Sequence, residues 1–127
     1  MNERDLMVKA RRALASARTL LEDGDNDGAC NRAYYAMFDA ARAALLASRA
    51  AVPPEVAKTH SGLITAFSLH LVKTGLFPVA LGKSFNKAED LRLIADYKGD
   101  PLGAEEAKWV TQQAESFVDA IHSRFFG

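Results

Sequence analysis

The segment 31–42 carries polar side chains on an otherwise apolar stretch of sequence. Arg32, Tyr35, Asp39 and Arg42 follow one another at steps of three and four residues, which places them along one side of a helix. An arginine and a tyrosine on a central helix can hold a phosphate or stack a nucleobase. The alternative is that these side chains hydrogen-bond across a bundle and fix the register of its helices.

A second polar cluster occupies 89–98. Arg92 and Asp96 are four residues apart and can form an ion pair on one helix face, while Tyr97 offers a phenol near the helix end. An exposed pair of this kind adds only a few tenths of a kcal/mol, so both a structural and a ligand-binding role stay open. His60, near the start of a helix predicted over 55–73, could act as a general base if a partner side chain orients it.

Several other kinds of chemistry lack their sequence signatures. His60, His70 and His122 share no His-x3-His or Glu-x-x-His spacing, and neither a Gly-x-Ser-x-Gly turn nor a Walker loop occurs. Cys30 is the single cysteine, so no intramolecular disulfide can form. The 16 basic and 16 acidic residues cancel, so any polyanion site must be a local patch. We expect no metal and no cofactor.

Helical periodicity runs through almost the whole chain and must position these side chains. It predicts an all-α fold, an antiparallel up-and-down bundle of four to five helices in one domain, 1–127. The second predicted helix is apolar on most of its circumference and should be central. With the fifth it should supply the core, and the side chains expected to be buried are Met37, Phe38, Ala41, Val110, Phe117 and Ile121. Gly82 is expected to divide the region 79–86 into a loop and a helix start. The predicted helices span 2–22, 26–50, 55–73, 87–98 and 103–125.

The location of the chain follows from its lack of long apolar runs. Charges at Glu3, Arg4 and Asp5 leave no room for the apolar region of a signal peptide, and charges interrupt every later apolar run well short of the ~20 residues that a membrane span needs. We therefore expect a soluble, cytoplasmic protein that does not associate with membranes.

Three motifs in order resemble the HEPN superfamily, and in particular its small stand-alone prokaryotic branch. The first is Arg-x-Tyr-Tyr-x-x-Phe at 32–38, the second is Lys-x-His-x-Gly at 58–62, and the third is Arg-x-x-x-Asp-Tyr at 92–97. The first motif is fairly specific, and the other two add weight together. The residues that match the pattern of the branch, and that we take as ligand-binding candidates, are Arg32, Tyr34, Tyr35, His60, Arg92, Asp96 and Tyr97.

The resemblance implies a helical bundle that dimerises and that is paired with a minimal nucleotidyltransferase in a toxin–antitoxin module. Many HEPN proteins are metal-independent ribonucleases with an Arg-x(4–6)-His motif that is completed across a dimer interface. This sequence departs from them, because no arginine lies five to seven positions before any of its histidines. The catalytic residues of those ribonucleases therefore have no counterparts here, and we assign none.

These observations lead to three hypotheses. The first is a nucleotide- or RNA-binding HEPN protein with a nucleotidyltransferase partner. The second is a toxin ribonuclease with a non-standard site, in which Arg32, His60 and Arg92 replace the missing motif. The third is a helical adaptor without a ligand. For the first two we expect a pocket in which Arg92 contacts phosphate while Asp96 holds its side chain in place.

Overall fold

Four long helices form the framework of the computed structural model, which describes residues 1–97 and 99–127. Two shorter helices and a π-helical turn, Ser68–Val72, connect the second long helix to the next. Within the described residues the chain forms no strand, so the predicted all-α bundle is confirmed. The helices are α1 Glu3–Glu22, α2 Asn26–Ala47, α3 Pro54–Ala57, α4 His60–Phe67, α5 Val79–Tyr97 and α6 Ala104–Phe125.

The first two helices form an antiparallel hairpin, and a side chain caps the start of each helix. Asn2 and Asp5 form a reciprocal capping box at the start of α1, and Asp25 accepts a hydrogen bond of 2.8 Å from the Gly28 amide at the start of α2. Gly24 has a φ of +83°, which a residue with a side chain rarely adopts, and this allows the tight reversal between the two helices.

The central helix of the bundle is α2, which packs against α1, α4, α5 and α6. Its many alanines let neighbouring helices approach closely. Five of the six side chains expected in the core from α2 and α6 are buried, whereas Phe38 is only partly buried; the five are Met37, Ala41, Val110, Phe117 and Ile121. α1 also supplies core residues, among them Leu6 and Leu14.

The connection after α2 differs from the predicted continuous helices. α2 ends at Ala47 rather than near residue 50, and Arg49 adopts a positive φ of 58° in the turn that follows. The helix predicted over 55–73 is divided, because Thr59 caps a new helix by accepting a hydrogen bond from the Gly62 amide. Gly62 is required there, since a Cβ would collide with the carbonyl oxygen of Val56.

α5 begins much earlier than predicted. It starts at Val79, directly after Pro78, and continues through Gly82 without a break. A glycine inside a helix costs about 1 kcal/mol relative to alanine, but Gly82 is buried, and a Cβ there would lie 3.4 Å from the side chain of Val72. That distance is an ordinary van der Waals contact, so the packing of α5 on the π-helical turn does not require a glycine at this position. None of the helices in the described part of the chain is long and apolar enough to cross a bilayer.

Candidate functional site

Arg92 is the charged centre of a cluster on the inner face of α5. Its side chain, in a residue only 6% exposed, donates hydrogen bonds of 3.0 to 3.3 Å to both carboxylate oxygens of Glu89 and one of 3.1 Å to Asp96. Burial alone would lower the pKa of Arg92, but the hydrogen bonds and charge of Glu89, together with the hydrogen bond of Asp96, outweigh burial and raise this pKa. The guanidinium is therefore fully charged, and its nitrogen atoms already bind two carboxylates.

Tyr34, on α2, lies between Arg92 of α5 and His60 of α4 and contacts both. Its ring lies 5.0 Å below the Arg92 guanidinium, and its hydroxyl lies 2.7 Å from Nδ1 of His60. Burial, followed by the negative charge of Glu89, raises the pKa of the Tyr34 phenol far above its ordinary value. The phenol is therefore protonated throughout the range in which proteins are stable. Tyr34 is the orienting partner of His60 that the sequence alone could not name.

His60 is the first residue of α4 and is held by aromatic rings of α2. The imidazole centroid lies 4.7 Å from that of Phe38, 5.6 Å from Tyr34 and 5.8 Å from Tyr35. The side chain is half-buried, so it is fixed in orientation and still reaches the surface. Such a histidine is suited to exchanging a proton with a bound ligand.

Arg32 lies on the outer side of the same aromatic group. Its guanidinium is 5.9 Å from the ring of Tyr35, and Arg92 lies at the same distance from that ring. Arg32 is half-buried, and in the described part of the chain no carboxylate lies within ion-pairing distance of it. Of the two arginines expected to contact a ligand, Arg92 is buried and paired with two carboxylates, whereas Arg32 has no ion-pair partner among the described residues.

Six of the seven residues selected from the sequence thus belong to one chain of contacts, from Arg32 through Tyr35, Arg92 and Tyr34 to His60, with Asp96 paired to Arg92. Tyr97, at the end of α5, is 76% exposed and forms no hydrogen bond or aromatic pair with the described residues of this group. Glu89 belongs to the site and was not selected, although its i,i+3 spacing to Arg92 was a usable signal. We use the name Arg92 cluster for the residues around Arg92, without Arg32. The cluster consists of Tyr34, Tyr35, His60, Glu89, Arg92 and Asp96.

A pocket of about 280 Å³ lies beside the Arg92 cluster, between α1 and α2. Asp39 at its wall is only 3% exposed and is paired with Arg42 across 3.7 Å, not with Arg32. Burial raises the pKa of the Asp39 carboxyl, although the nearby positive charges of Lys9, Arg42 and Arg32 oppose this. We call this the α1–α2 pocket; it is lined by Lys9, Arg32, Tyr35, Phe38, Asp39 and Arg42.

Metal and thiol chemistry find little support in this arrangement. Within residues 1–97 and 99–127, no group of three or more histidine, cysteine or carboxylate side chains is placed to hold a metal ion. Cys30 is fully buried in α2, and burial raises the pKa of its thiol to about 12. A thiol in this environment is a small core residue.

Comparison with known proteins places the chain in a family. The model of the HEPN domain matches residues 3–124. The chain belongs to the HEPN domain family. A UPF0332 protein of Gloeobacter violaceus is 39% identical over 91% of this chain and 90% of its own length, and a UPF0332 protein of Thermotoga maritima is 36% identical over 95% and 92%. A protein of Methanocaldococcus jannaschii named "Putative toxin" is 37% identical over 91% of this chain and 83% of its own length.

Proposed function

We propose that this HEPN protein is the RNA- or nucleotide-binding component of a toxin–antitoxin-type module. The observation that carries the proposal is Arg32, a half-buried arginine without an ion-pair partner among the described residues, held against Tyr35. An arginine beside a partly exposed aromatic ring is a combination that binds single-stranded RNA, through a phosphate and a stacked base. The name of the Methanocaldococcus relative supports the toxin context.

The Arg92 cluster has a positioning role in this proposal. Arg92 lies over Tyr34 and beside Tyr35, and its carboxylate partners hold it there. The cluster therefore fixes the two tyrosines and His60, while Arg32 contacts the ligand. This differs from the expectation that Arg92 itself contacts phosphate, because the nitrogen atoms of Arg92 are already engaged by Glu89 and Asp96.

Removal of Arg32 tests the binding proposal. Arg32→Ala should weaken the binding of a short single-stranded RNA roughly 10- to 100-fold, the scale of a lost charge-assisted hydrogen bond. Arg18→Ala is the matched control, since Arg18 lies on the outer face of α1 and makes an exposed ion pair with Glu115. Fluorescence anisotropy at constant salt measures both. Equal affinity of the two variants would contradict the proposed site, and a wild-type protein that binds neither RNA nor ATP would favour the adaptor hypothesis.

A metal-independent ribonuclease activity is the second candidate, and the 2.7 Å contact between His60 and Tyr34 favours it. If Nδ1–H of His60 donates to the phenol oxygen, Nε2 carries the lone pair that can accept a proton from a ribose 2′-hydroxyl. The Tyr34 hydroxyl can then donate to Glu89, which lies beside it. Arg32 would stabilise the charge that develops on the phosphate.

This activity is tested by incubating RNA with the protein in the presence of EDTA. Cleavage that persists in EDTA and is lost in His60→Ala, while Arg32→Ala reduces both binding and cleavage, is the expected result for a ribonuclease. Tyr34→Phe should retain the fold and lower the cleavage rate, because the imidazole loses its orienting hydroxyl. RNA binding without cleavage in any buffer would refute this second candidate and leave the first in place.

The proposed protein partner is a minimal nucleotidyltransferase, as the resemblance to the stand-alone HEPN branch implies. A toxin-type protein needs a partner that holds it inactive, and a nucleotidyltransferase encoded beside the gene would be that partner. Co-expression of the two proteins with an affinity tag on one, followed by size-exclusion chromatography, should give a single complex. Separate elution of the two proteins at micromolar concentration would contradict this pairing.

A further inference from the structure

We propose that the α1–α2 pocket binds a guanine base of single-stranded RNA, with Asp39 as the residue that selects it. The inference rests on the proposed RNA-binding function and adds a base preference to it. The pocket adjoins the proposed phosphate contact, because Arg32 and Tyr35 line it on one side. At about 280 Å³ it has room for one base and is smaller than most pockets that enclose a whole drug-sized ligand.

Asp39 is the feature of this pocket that points to a ligand with hydrogen-bond donors. Its carboxylate is almost completely buried, and in the described part of the chain no donor reaches it at hydrogen-bonding distance. The nearest cation, on Arg42, stays 3.7 Å away. In the described part of the chain no fully buried side-chain oxygen lacks a hydrogen-bond partner, so the unpartnered oxygens of Asp39 keep a small exposed surface, and the pocket that Asp39 lines is where a donor can reach them.

Guanine presents the edge that complements such a carboxylate. Its N1–H and N2–H₂ groups are adjacent donors that can meet the two oxygens of one carboxylate side by side. Adenine and cytosine each place a ring acceptor next to a single amino donor, which would face a carboxylate oxygen unfavourably. Uracil offers one N–H between two carbonyl groups. The donor pattern therefore favours guanine over the other three bases.

The remaining side chains of the pocket suit the rest of a nucleotide. The rings of Tyr35 and Phe38 provide aromatic surface against which a base can stack. Lys9 and Arg42, together with Arg32, supply positive charge for the adjacent phosphates. Three cations against one carboxylate leave the pocket with a net positive charge, so a polyanion is attracted although Asp39 is negative.

Asp39 is also a poor choice for stability alone. Burial raises the pKa of its carboxyl, which means that its ionised form is disfavoured in the folded state. A neutral or apolar side chain at this position of α2 would fold more easily. Residues that are unfavourable for folding are found preferentially where they serve function.

Three RNAs test the preference without any change to the protein. They are decamers of adenosine in which one central nucleotide is guanosine, inosine or adenosine. The guanosine RNA should bind roughly 10- to 100-fold tighter than the adenosine RNA, since hydrogen bonds to a charged group are involved. Inosine lacks only the N2 amino group and should fall between the two. Equal affinities for all three would overturn the inference.

Asp39→Ala then assigns the preference to this residue, with Asp90→Ala on the exposed face of α5 as the matched control. The Asp39 variant should bind the guanosine and adenosine RNAs within about twofold of each other, and bind the adenosine RNA no more weakly than wild type does, because a negative charge has been removed. The control should retain the preference. If Arg32→Ala still weakens binding while Asp39→Ala keeps the preference, the guanine inference fails and the proposed function stands. If wild type binds none of the RNAs, both fail.

Discussion

Replacement of Arg92 by alanine should destabilise the protein strongly. The substitution leaves the carboxylates of Glu89 and Asp96 without their common partner, and their side chains are only 16% and 31% exposed. Removing one member of a buried ion pair costs about 3–5 kcal/mol. Because the Asp96 carboxylate can partly recover its hydration, we expect the lower end, about 3 kcal/mol. The loss of contact between the guanidinium and the ring of Tyr34 adds to it.

Urea denaturation followed by circular dichroism measures this loss as a lower midpoint at an unchanged slope. For a chain of this length, 3 kcal/mol corresponds to a decrease in Tm of roughly 12 °C. Arg18→Ala is the matched control, because the ion pair of Arg18 with Glu115 is half exposed and should be worth less than about 1 kcal/mol. The double variant with Glu89→Ala should lose less than the sum of the two single losses, since the residues contact each other.

A loss below about 1 kcal/mol for Arg92→Ala would refute this reasoning. It would mean that the two carboxylates are solvated as well without the guanidinium as with it. Arg92 would then be a cation that could leave its partners and contact a phosphate, as first expected from the sequence. If the variant loses much stability but binds RNA normally at a temperature where it is folded, Arg92 has a structural role only.

Three further predictions concern the core, the assembly and the pH dependence. Phe117→Ala should cost about 3–5 kcal/mol in the same urea assay, because a fully buried ring is replaced by a cavity, and a loss under about 1 kcal/mol would contradict the observed packing. Light scattering should report a dimer, twice the chain mass of 13.8 kDa, since Leu93, Ile94 and Tyr97 leave apolar surface exposed on α5; a mass of 13.8 kDa at high concentration would exclude it. The pKa of the Asp39 carboxyl is 3.8 in the unfolded chain and is raised in the folded protein, so the folded protein binds this proton more tightly. The free energy of unfolding therefore decreases as pH rises from 3.8 through the raised pKa of the folded state. Asp39→Ala should therefore gain stability over wild type increasingly across that window, and an unchanged difference between the two proteins would contradict the burial of this charge.

The helices with strong local signals were predicted closely, and those that depend on tertiary packing were not. α6 was predicted at 103–125 and occupies Ala104–Phe125, because its apolar seam and the acidic residues of its first turn are visible in the sequence itself. Proline inside a helical pattern usually ends a helix, yet a proline at a helix start is also common, and Pro78 directly precedes α5. Gly82 was expected to divide this region, yet α5 runs through it without a break, and no contact in the structure requires a glycine there.

The division of the helix predicted over 55–73 shows the same limit. Thr59 has the side chain of a helix cap, but threonine also occurs within helices, so its type does not decide the matter. The deciding contact is the close approach of Gly62 to the carbonyl of Val56, which exists only once the chain has turned. This break places His60 at a helix start, directly opposite Tyr34, and so creates the contact that supports the ribonuclease candidate.

The two arginines of the site show why sequence alone could not assign roles within it. Arg32 and Arg92 each stand in a motif beside an aromatic or acidic neighbour, and helical spacing correctly suggested that Arg92 reaches Asp96. What separates them is burial: packing of α5 on α2 encloses Arg92, and Glu89 from the same helix saturates its remaining nitrogen atoms. Arg32 faces the α1–α2 pocket instead, beside a carboxylate without a donor. We therefore propose Arg32 rather than Arg92 as the ligand contact, because an unpaired cation can bind phosphate without first breaking an ion pair.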